Sequence, residues 1–151
     1  MFASPPMVRS SSHRRQSAGL YQQVGVESQL ANATPHALVA MLFDGFMEAL
    51  AQARGAIRNR DAAAKGVAIG RAVRIIEEGL RAGLDVRAGG SLAQDLGELY
   101  TYISRRLTLA NLRNDEDAID ECQRLMQPLR EAWQAIGAET GASAPSQALM
   151  R

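Results

Sequence analysis

The segment 91–111 constrains the fold of this chain more than any other stretch. Apolar side chains recur in it at steps of three and four residues: Leu92, Leu96, Leu99, Ile103, Leu107 and Ala110. That spacing predicts a helix with one buried face. Gly89-Gly90 ends any preceding helix, and Ser91 is placed to cap this one. Tyr100, Tyr102 and Arg106 flank the stripe, so we expect one side to close a bundle and an edge to meet a partner.

Composition favours an all-helical domain without a basic face. The 151 residues are 46% hydrophobic and only 5% aromatic, and Ala, Leu, Arg, Glu and Gln are good helix formers. Net charge is +1, and the chain beyond the N-terminal Arg9, Arg14 and Arg15 is slightly acidic, which argues against nucleic-acid binding. One cysteine and no long apolar run argue against a disulfide framework and membrane insertion, so we expect a cytoplasmic protein.

The first long helix, about 35–59, carries more apolar surface than one core requires. Thr34 is its predicted N-cap and Pro35 its first residue. Its apolar residues are Leu38, Val39, Met41, Leu42, Phe43, Phe46, Met47 and Leu50. They cover roughly 240° of the helix, whereas a surface helix needs a stripe of about 100° or somewhat more. This surplus indicates a surface that something else covers.

A second helix, about 62–84, follows Asp61 as its cap. Its stripe consists of Ile69, Val73, Ile76, Leu80 and Leu84, with Val67, Ile75 and Val86 on a weaker second face. Gly66, Gly70 and Gly79 lie inside this helix. They indicate either close helix approach, which we favour, or tolerance by a well-packed bundle.

A fourth helix is capped by Asn114 or Asp115, with acidic residues in its first turn that suit the helix dipole. Its seam is Ile119, Cys122, Met126, Leu129, Trp133 and Ile136. Pro128 predicts a kink or a local break. We therefore expect an antiparallel up-down four-helix bundle over 20–137, with a short helical segment near its start, a disordered tail over 1–19 and a frayed tail over 138–151.

The sequence offers little for catalysis or for a metal or cofactor. His36 lies in a first helical turn, His13 lies in the tail, and no Glu-x-x-His pair of a di-iron bundle occurs. Cys122 lies on the core seam without a histidine nearby. We expect a non-enzymatic protein with no cofactor, and the surplus apolar surface then has two readings. It is a groove for a helix of another protein, or it is covered by the chain itself or by self-association in a structural homo-oligomer.

Short pieces spread along the chain resemble the flagellar secretion chaperone family FliS, in the order and spacing of that family over about 20–137. They are Tyr21-Gln22-Gln23-Val24, Thr34-Pro35 with Leu38, Met41-Leu42-Phe43-Asp44-Gly45, Leu84-Asp85, Gly89-Gly90, Leu99-Tyr100-x-Tyr102 with Arg106-Leu107, Ala110-Asn111, and Trp133. The long N-terminal head, Phe43 in place of the usual Tyr, and Pro128 depart from the pattern.

The resemblance implies a monomeric chaperone that binds the disordered C-terminal segment of flagellin one to one. It further implies prevention of premature polymerisation, delivery to the type III export apparatus, and the export gate as a further candidate partner. The residues it implies for the flagellin groove are Leu42, Phe43, Phe46, Met47, Leu99, Tyr100, Tyr102, Ile103, Arg106, Leu107 and Asn111.

Tyr21 and Val24 are implied to cap the groove when the client is absent. Core packing is the rival interpretation for the groove residues, and it is favoured for Leu42, Leu99 and Leu107. Tyr100, Tyr102 and Arg106 are less easily explained as core.

Overall fold

A computed structural model describes residues 33–84 and 86–150 of the chain, with side chains at 33–84 and 89–137. The predicted tail 1–19, the short segment at 20–24, and Tyr21 and Val24 lie outside the described residues. The chain divides into two compact units, Met1–Leu38 and Val39–Arg151. In the first unit, the Thr34 hydroxyl accepts a hydrogen bond from the Ala37 amide at 3.1 Å, which confirms the predicted cap.

Four α-helices make up the described part of the chain, which confirms the all-helical prediction. They are α1 (Pro35–Arg58), α2 (Ala62–Arg74, continued by a π-helical segment Ile75–Leu80), α3 (Val86–Arg113) and α4 (Glu116–Met150). The Asp61 carboxylate caps α2 by accepting from the Ala64 amide at 3.0 Å. Asp115, rather than Asn114, caps α4 through the Ala118 amide at 3.3 Å.

Polar contacts between α1 and α4 fix an antiparallel register. Going up α1, Asp44, Arg54 and Arg58 pair in turn with Arg130 at 2.7 Å, Asp120 at 2.9 Å and Glu116 at 2.9 Å, going down α4. Steps of ten and four residues on α1 are matched by equal reverse steps on α4, so the two helices run side by side over this length.

The other three seams close the bundle of the second unit. Between α1 and α2, Glu48 pairs with Arg71 at 3.5 Å. Between α2 and α3, Glu77 accepts from the Ser104 hydroxyl at 2.9 Å. Between α3 and α4, Arg106 pairs with Glu121 at 2.6 Å. Consecutive helices therefore lie side by side, and α4 lies beside α1. This arrangement is the predicted up-down bundle.

All four helices contribute to one core cluster. Its fully buried large side chains are Phe46, Leu50, Ile76, Ile103, Leu107, Ile119, Cys122 and Met126. Burial of this apolar surface is the main favourable term for the fold. The α4 seam fades toward its C-terminal end, where Leu129 and Trp133 are half-buried and Ile136 is half-exposed.

The core face of α3 is rotated from the predicted stripe at its N-terminal end. Ala93 and Tyr100 are buried there, whereas Leu92 is 66% exposed and Leu99 is half-buried. The buried residues follow heptad steps, which are Ala93, Tyr100, Ile103, Leu107 and Ala110. At the N-terminal end of α3 the sequence therefore contains two apolar patterns one residue apart, one through Leu92 and Leu99 and one through Ala93 and Tyr100. The prediction of Leu92 as a core residue was wrong, because the buried side chain at this end of α3 is that of the next residue, Ala93.

Gly90 interrupts α3 with φ 55° and ψ −133°, which agrees with the predicted stop before Ser91. The π-helical segment in α2 was not predicted. Close approach at glycine holds only for Gly79, where an added Cβ would lie 2.9 Å from a Leu42 methyl carbon, while Gly66 and Gly70 face open space.

The helix α4 is continuous through Pro128, so the local break does not occur. It extends to Met150, past the point where the sequence predicts fraying. The division at 19/20 and 137/138 stays a prediction. Among the described residues, no helix is long and apolar enough to cross a membrane.

Candidate partner-binding surface

The residues predicted to bind a partner separate into three groups in the structure. One group is buried in the core: Phe43, Phe46, Tyr100, Ile103 and Leu107. Both α1 and α3 contribute to this group, which belongs to the one core cluster of the bundle. For Leu107 this agrees with the rival core interpretation. The partner-binding role of the group stays a prediction.

Tyr100 is a core residue, contrary to the expectation that its ring is hard to explain there. It is 4% exposed and belongs to the cluster that contains Ile103 and Leu107. Burial raises the pKa of its hydroxyl, and the nearby Arg81 charge opposes that rise. The physical reason is the rotated stripe, because a position three residues before Ile103 and seven before Leu107 faces inward.

A second group borders the core without being enclosed by it. Leu42, Met47 and Leu99 are half-buried and pack against the core cluster. Asn111 is also half-buried, and its main-chain carbonyl accepts a hydrogen bond from the Lys65 ammonium at 2.7 Å. These side chains are accessible to a partner while still anchored to the bundle.

The third group, Tyr102 and Arg106, lies on the edge of α3 that faces α4, and both side chains bond to Glu121 of α4, which the sequence analysis missed. The Tyr102 hydroxyl donates to the Glu121 carboxylate at 2.5 Å, and the Arg106 guanidinium donates to the other oxygen at 2.6 Å. We call Tyr102, Arg106 and Glu121 the edge cluster. Tyr102 is 44% exposed, so its ring presents an apolar face to the surroundings while its hydroxyl is held.

Electrostatics within the edge cluster favour a fixed arrangement. The hydrogen bond from Tyr102, and then that from Arg106, lowers the pKa of Glu121 below its ordinary value. The same carboxylate raises the pKa of Tyr102 and that of Arg106. Each group therefore stabilises the protonation state that its neighbour needs near neutral pH.

Glu121 was missed because it belongs to an acidic run that helix-dipole complementarity already explained. Only Glu116 and Asp117 lie in the first turn of α4. Glu121 is one turn beyond, immediately before the core residue Cys122. An acidic residue adjacent to a core position and outside the first turn is the signal that was available.

Cys122 is not a reactive thiol. It is fully buried, its Sγ lies 3.8 Å from the Ile103 carbonyl oxygen, and desolvation raises its pKa to about 12. A thiolate is the reactive form, so this environment suppresses nucleophilic chemistry. Among the residues the structure describes, no three His, Cys, Asp or Glu side chains group in a way that could hold a metal ion.

Comparison with known proteins places this chain in a family. The family described as "Flagellar protein FliS" matches residues 17–140. The chain is 50% identical to the flagellar secretion chaperone FliS of Salmonella typhimurium strain LT2 over 116 residues, 77% of this chain and 86% of that protein. It is 44% identical to the Escherichia coli K12 protein of the same name over 113 residues, 75% and 83% of the two chains. The Bacillus subtilis 168 protein of that name is 33% identical over 120 residues, 79% and 85% of the two chains.

Proposed function

This chain belongs to the flagellar protein FliS family, and from that premise we propose that it is a cytoplasmic, non-enzymatic chaperone for flagellin. It binds the disordered C-terminal segment of flagellin one to one, prevents premature polymerisation and delivers the subunit to the flagellar type III export apparatus. The relatives carry the name of flagellar secretion chaperone, which supports the class of function. The client, the stoichiometry, the delivery to the export apparatus, the cytoplasmic location and the lack of enzymatic activity are the parts that the proposal adds.

The observation that carries the proposal is the number of apolar side chains left half-buried around the core. They are Val39, Leu42, Met47, Ile57, Val73, Ile75, Leu84, Leu96, Leu99, Leu125, Leu129 and Trp133. A chain that folds on binding gains affinity by burying such surface and loses part of that gain to its own ordering. The complex is then stable enough to guard an apolar segment and still releasable at export.

The edge cluster supplies what apolar surface alone lacks, which is a fixed polar anchor. Tyr and Arg dominate the binding energy of many interfaces because they combine area with directional hydrogen bonds. Tyr102 and Arg106 are both held by Glu121, so their side chains lose little further conformational freedom when a client binds. We propose that the client contacts Tyr102 and Arg106 together with the half-buried Leu42, Met47, Leu99 and Asn111.

The buried members of the predicted site then have a supporting role. Phe43, Phe46, Tyr100, Ile103 and Leu107 hold α1 and α3 in place behind the surface that meets the client. Substitutions there change client binding by changing the fold, whereas substitutions on the edge cluster change it directly.

Calorimetric titration with the C-terminal segment of flagellin from the same organism tests the proposal. We expect saturable one-to-one binding, a negative heat-capacity change and a gain in helical circular dichroism. Light scattering of the free chain separates the rival function, because a structural homo-oligomer gives a mass of several chains and the proposed chaperone gives a monomer. A stable oligomer that does not bind the segment at tens of micromolar would contradict the proposal.

A further inference from the structure

A cleft of about 370 Å³ opens at the end of the bundle where the two turns α1–α2 and α3–α4 meet. Its lining comes from Ala56, Ile57, Arg60, Asp61, Ala62, Lys65 and Asn114. The volume lies at the lower end of the range for small-ligand sites, which suits an amino-acid side chain or a peptide end. None of these residues is among the side chains proposed to contact the client, although Ile57 is one of the half-buried apolar residues around the core.

Lys65, the single lysine of the chain, lines this cleft and is only 9% exposed. Its ammonium donates to the Asn111 main-chain carbonyl and to the Asn114 side-chain oxygen, both at 2.7 Å. Both acceptors are neutral, and an ammonium has three N–H groups. The two hydrogen bonds at the C-terminal end of α3 use two of these N–H groups. Within the described part of the chain, the third N–H group has no hydrogen-bond acceptor, and the positive charge of Lys65 has no anionic partner.

Arg60 adds a second cation to the same lining. It is exposed and has φ 54°, a left-handed conformation that a residue with a Cβ rarely adopts. Among the side chains described at 33–84 and 89–137, no carboxylate lies within 4.0 Å of the Arg60 guanidinium or the Lys65 ammonium. Asp61 is the one acidic residue of the lining, and one of its carboxylate oxygens accepts a hydrogen bond from the Ala64 amide.

We propose that this cleft binds a carboxylate of a partner protein. The lining carries two positive charges and one negative charge, so one monoanion brings it to neutrality. A dianionic phosphate would meet the Asp61 carboxylate as well, which disfavours it. One carboxylate oxygen accepts the remaining N–H of Lys65 and the other accepts from Arg60, while Ala56, Ile57 and Ala62 cover the adjoining methylene groups.

The cleft lining and the proposed client contacts share no side chain, and Lys65 meets Asn111 only at its main-chain carbonyl, so the two proposals are tested by separate titrations and each can fail alone. The partner is recognised by its acid group, either a glutamate side chain or a free chain end. Two carboxylate probes tell these two sources apart.

The test is a titration of the full-length ¹⁵N-labelled chain followed by nuclear magnetic resonance. The probes are N-acetylglutamate α-amide, its neutral match N-acetylglutamine α-amide, N-acetylalanine with its free carboxylate, and inorganic phosphate. We expect saturable shifts at the amides of Arg60 and Asn114 with one or both carboxylates, and the tighter of the two identifies the source. Equal shifts with the glutamine compound, or tighter binding of phosphate, would overturn the proposal.

Three substitutions make the assignment specific. Arg60→Gly removes the guanidinium but suits the positive φ, so the variant folds and should bind the carboxylate roughly tenfold more weakly. Arg105→Gln removes the same charge from an exposed position on α3 and should leave the affinity within about twofold. Lys65→Met tests the buried donor, with thermal unfolding as the check on its folding. Equal affinities for Arg60→Gly and the unchanged protein would contradict the site.

Discussion

Tyr100 and Tyr102 lie two residues apart on α3 and occupy opposite environments. Tyr100 is 4% exposed inside the core cluster, whereas Tyr102 is 44% exposed and hydrogen-bonded to Glu121. Two residues advance a helix by about 200°, which is enough to take a side chain from the centre of a bundle to its surface. A tyrosine ring therefore packs in the core at position 100 and is exposed at the surface at position 102.

The facing helix repeats the contrast in adjacent residues. On α4, Cys122 is fully buried against the Ile103 carbonyl, and Glu121 beside it belongs to the edge cluster. The seam between α3 and α4 thus has an inner layer that stabilises the bundle and an outer layer that holds Tyr102 and Arg106. Stability and partner binding should be separable by substitution on this one seam.

The largest expected effect is slow alkylation of Cys122, which lies in the inner layer of the seam. Because burial raises the pKa of Cys122 from 9.0 to about 12, its thiolate fraction at pH 8 falls roughly a thousandfold. We expect iodoacetamide to alkylate the native chain at least about a thousandfold more slowly than the urea-unfolded chain. Mass spectrometry reads one site, since the chain has one cysteine. Comparable alkylation rates in the native and the unfolded chain would mean that Cys122 is accessible to solvent in the folded protein.

Next in size is the cost of removing a ring from the core. Tyr100→Ala deletes a buried aromatic side chain and should lower the free energy of unfolding by about 3 to 5 kcal/mol, measured by urea denaturation. Tyr100→Phe keeps the ring and should restore most of that loss. Tyr102→Ala should leave the denaturation midpoint close to that of the unchanged protein. Equal losses for Tyr100→Ala and Tyr102→Ala would remove the distinction between the layers.

The smallest expected effect is a dependence of stability on pH. The folded-state pKa of Glu121 is lowered, chiefly by the hydrogen bond from Tyr102. A lowered carboxyl pKa contributes stability that is present above the unfolded-state value of about 4.5 and is lost as pH falls through the folded value. The difference in unfolding free energy between the unchanged protein and Glu121→Gln should therefore begin to shrink as pH falls below about 4.5, and it should level off below the folded-state pKa. A Tyr102→Phe variant should show a weaker dependence.

A difference between unchanged protein and Glu121→Gln that stays constant from pH 7 to pH 3 would contradict that account. It would mean that the carboxylate is held no more strongly in the folded chain than in the unfolded chain.

The number, order and caps of the described helices followed from the sequence because they depend on local signals. Thr34, Asp61 and Asp115 each carry a short side chain that reaches an amide three residues on, and such caps are readable from residue type alone. The antiparallel order followed from short connections.

Which side of α3 faces the core did not follow, because the decision depends on neighbours. Leu92 and Leu99 were predicted on the inner face, but Leu92 is exposed and Leu99 is only half-buried, whereas Ala93 and Tyr100 are buried. The π-helical segment and the pairing of Tyr102 with Glu121 also depend on contacts between distant parts of the chain. The predicted site residues therefore lie on the expected helices, but their division into core and edge did not follow from the sequence, and their binding role stays a prediction.

Calorimetric titration of Tyr102→Ala with the C-terminal segment of flagellin tests the central claim most directly. The unchanged protein and Arg105→Gln serve as references, and circular dichroism verifies that each chain is folded. We predict that Tyr102→Ala raises the dissociation constant by about tenfold or more, as expected for an interfacial tyrosine anchor. The dissociation constant of Arg105→Gln should stay close to that of the unchanged protein. A folded Tyr102→Ala variant that binds flagellin as tightly as the unchanged protein would contradict the claim that this edge of the bundle meets the client.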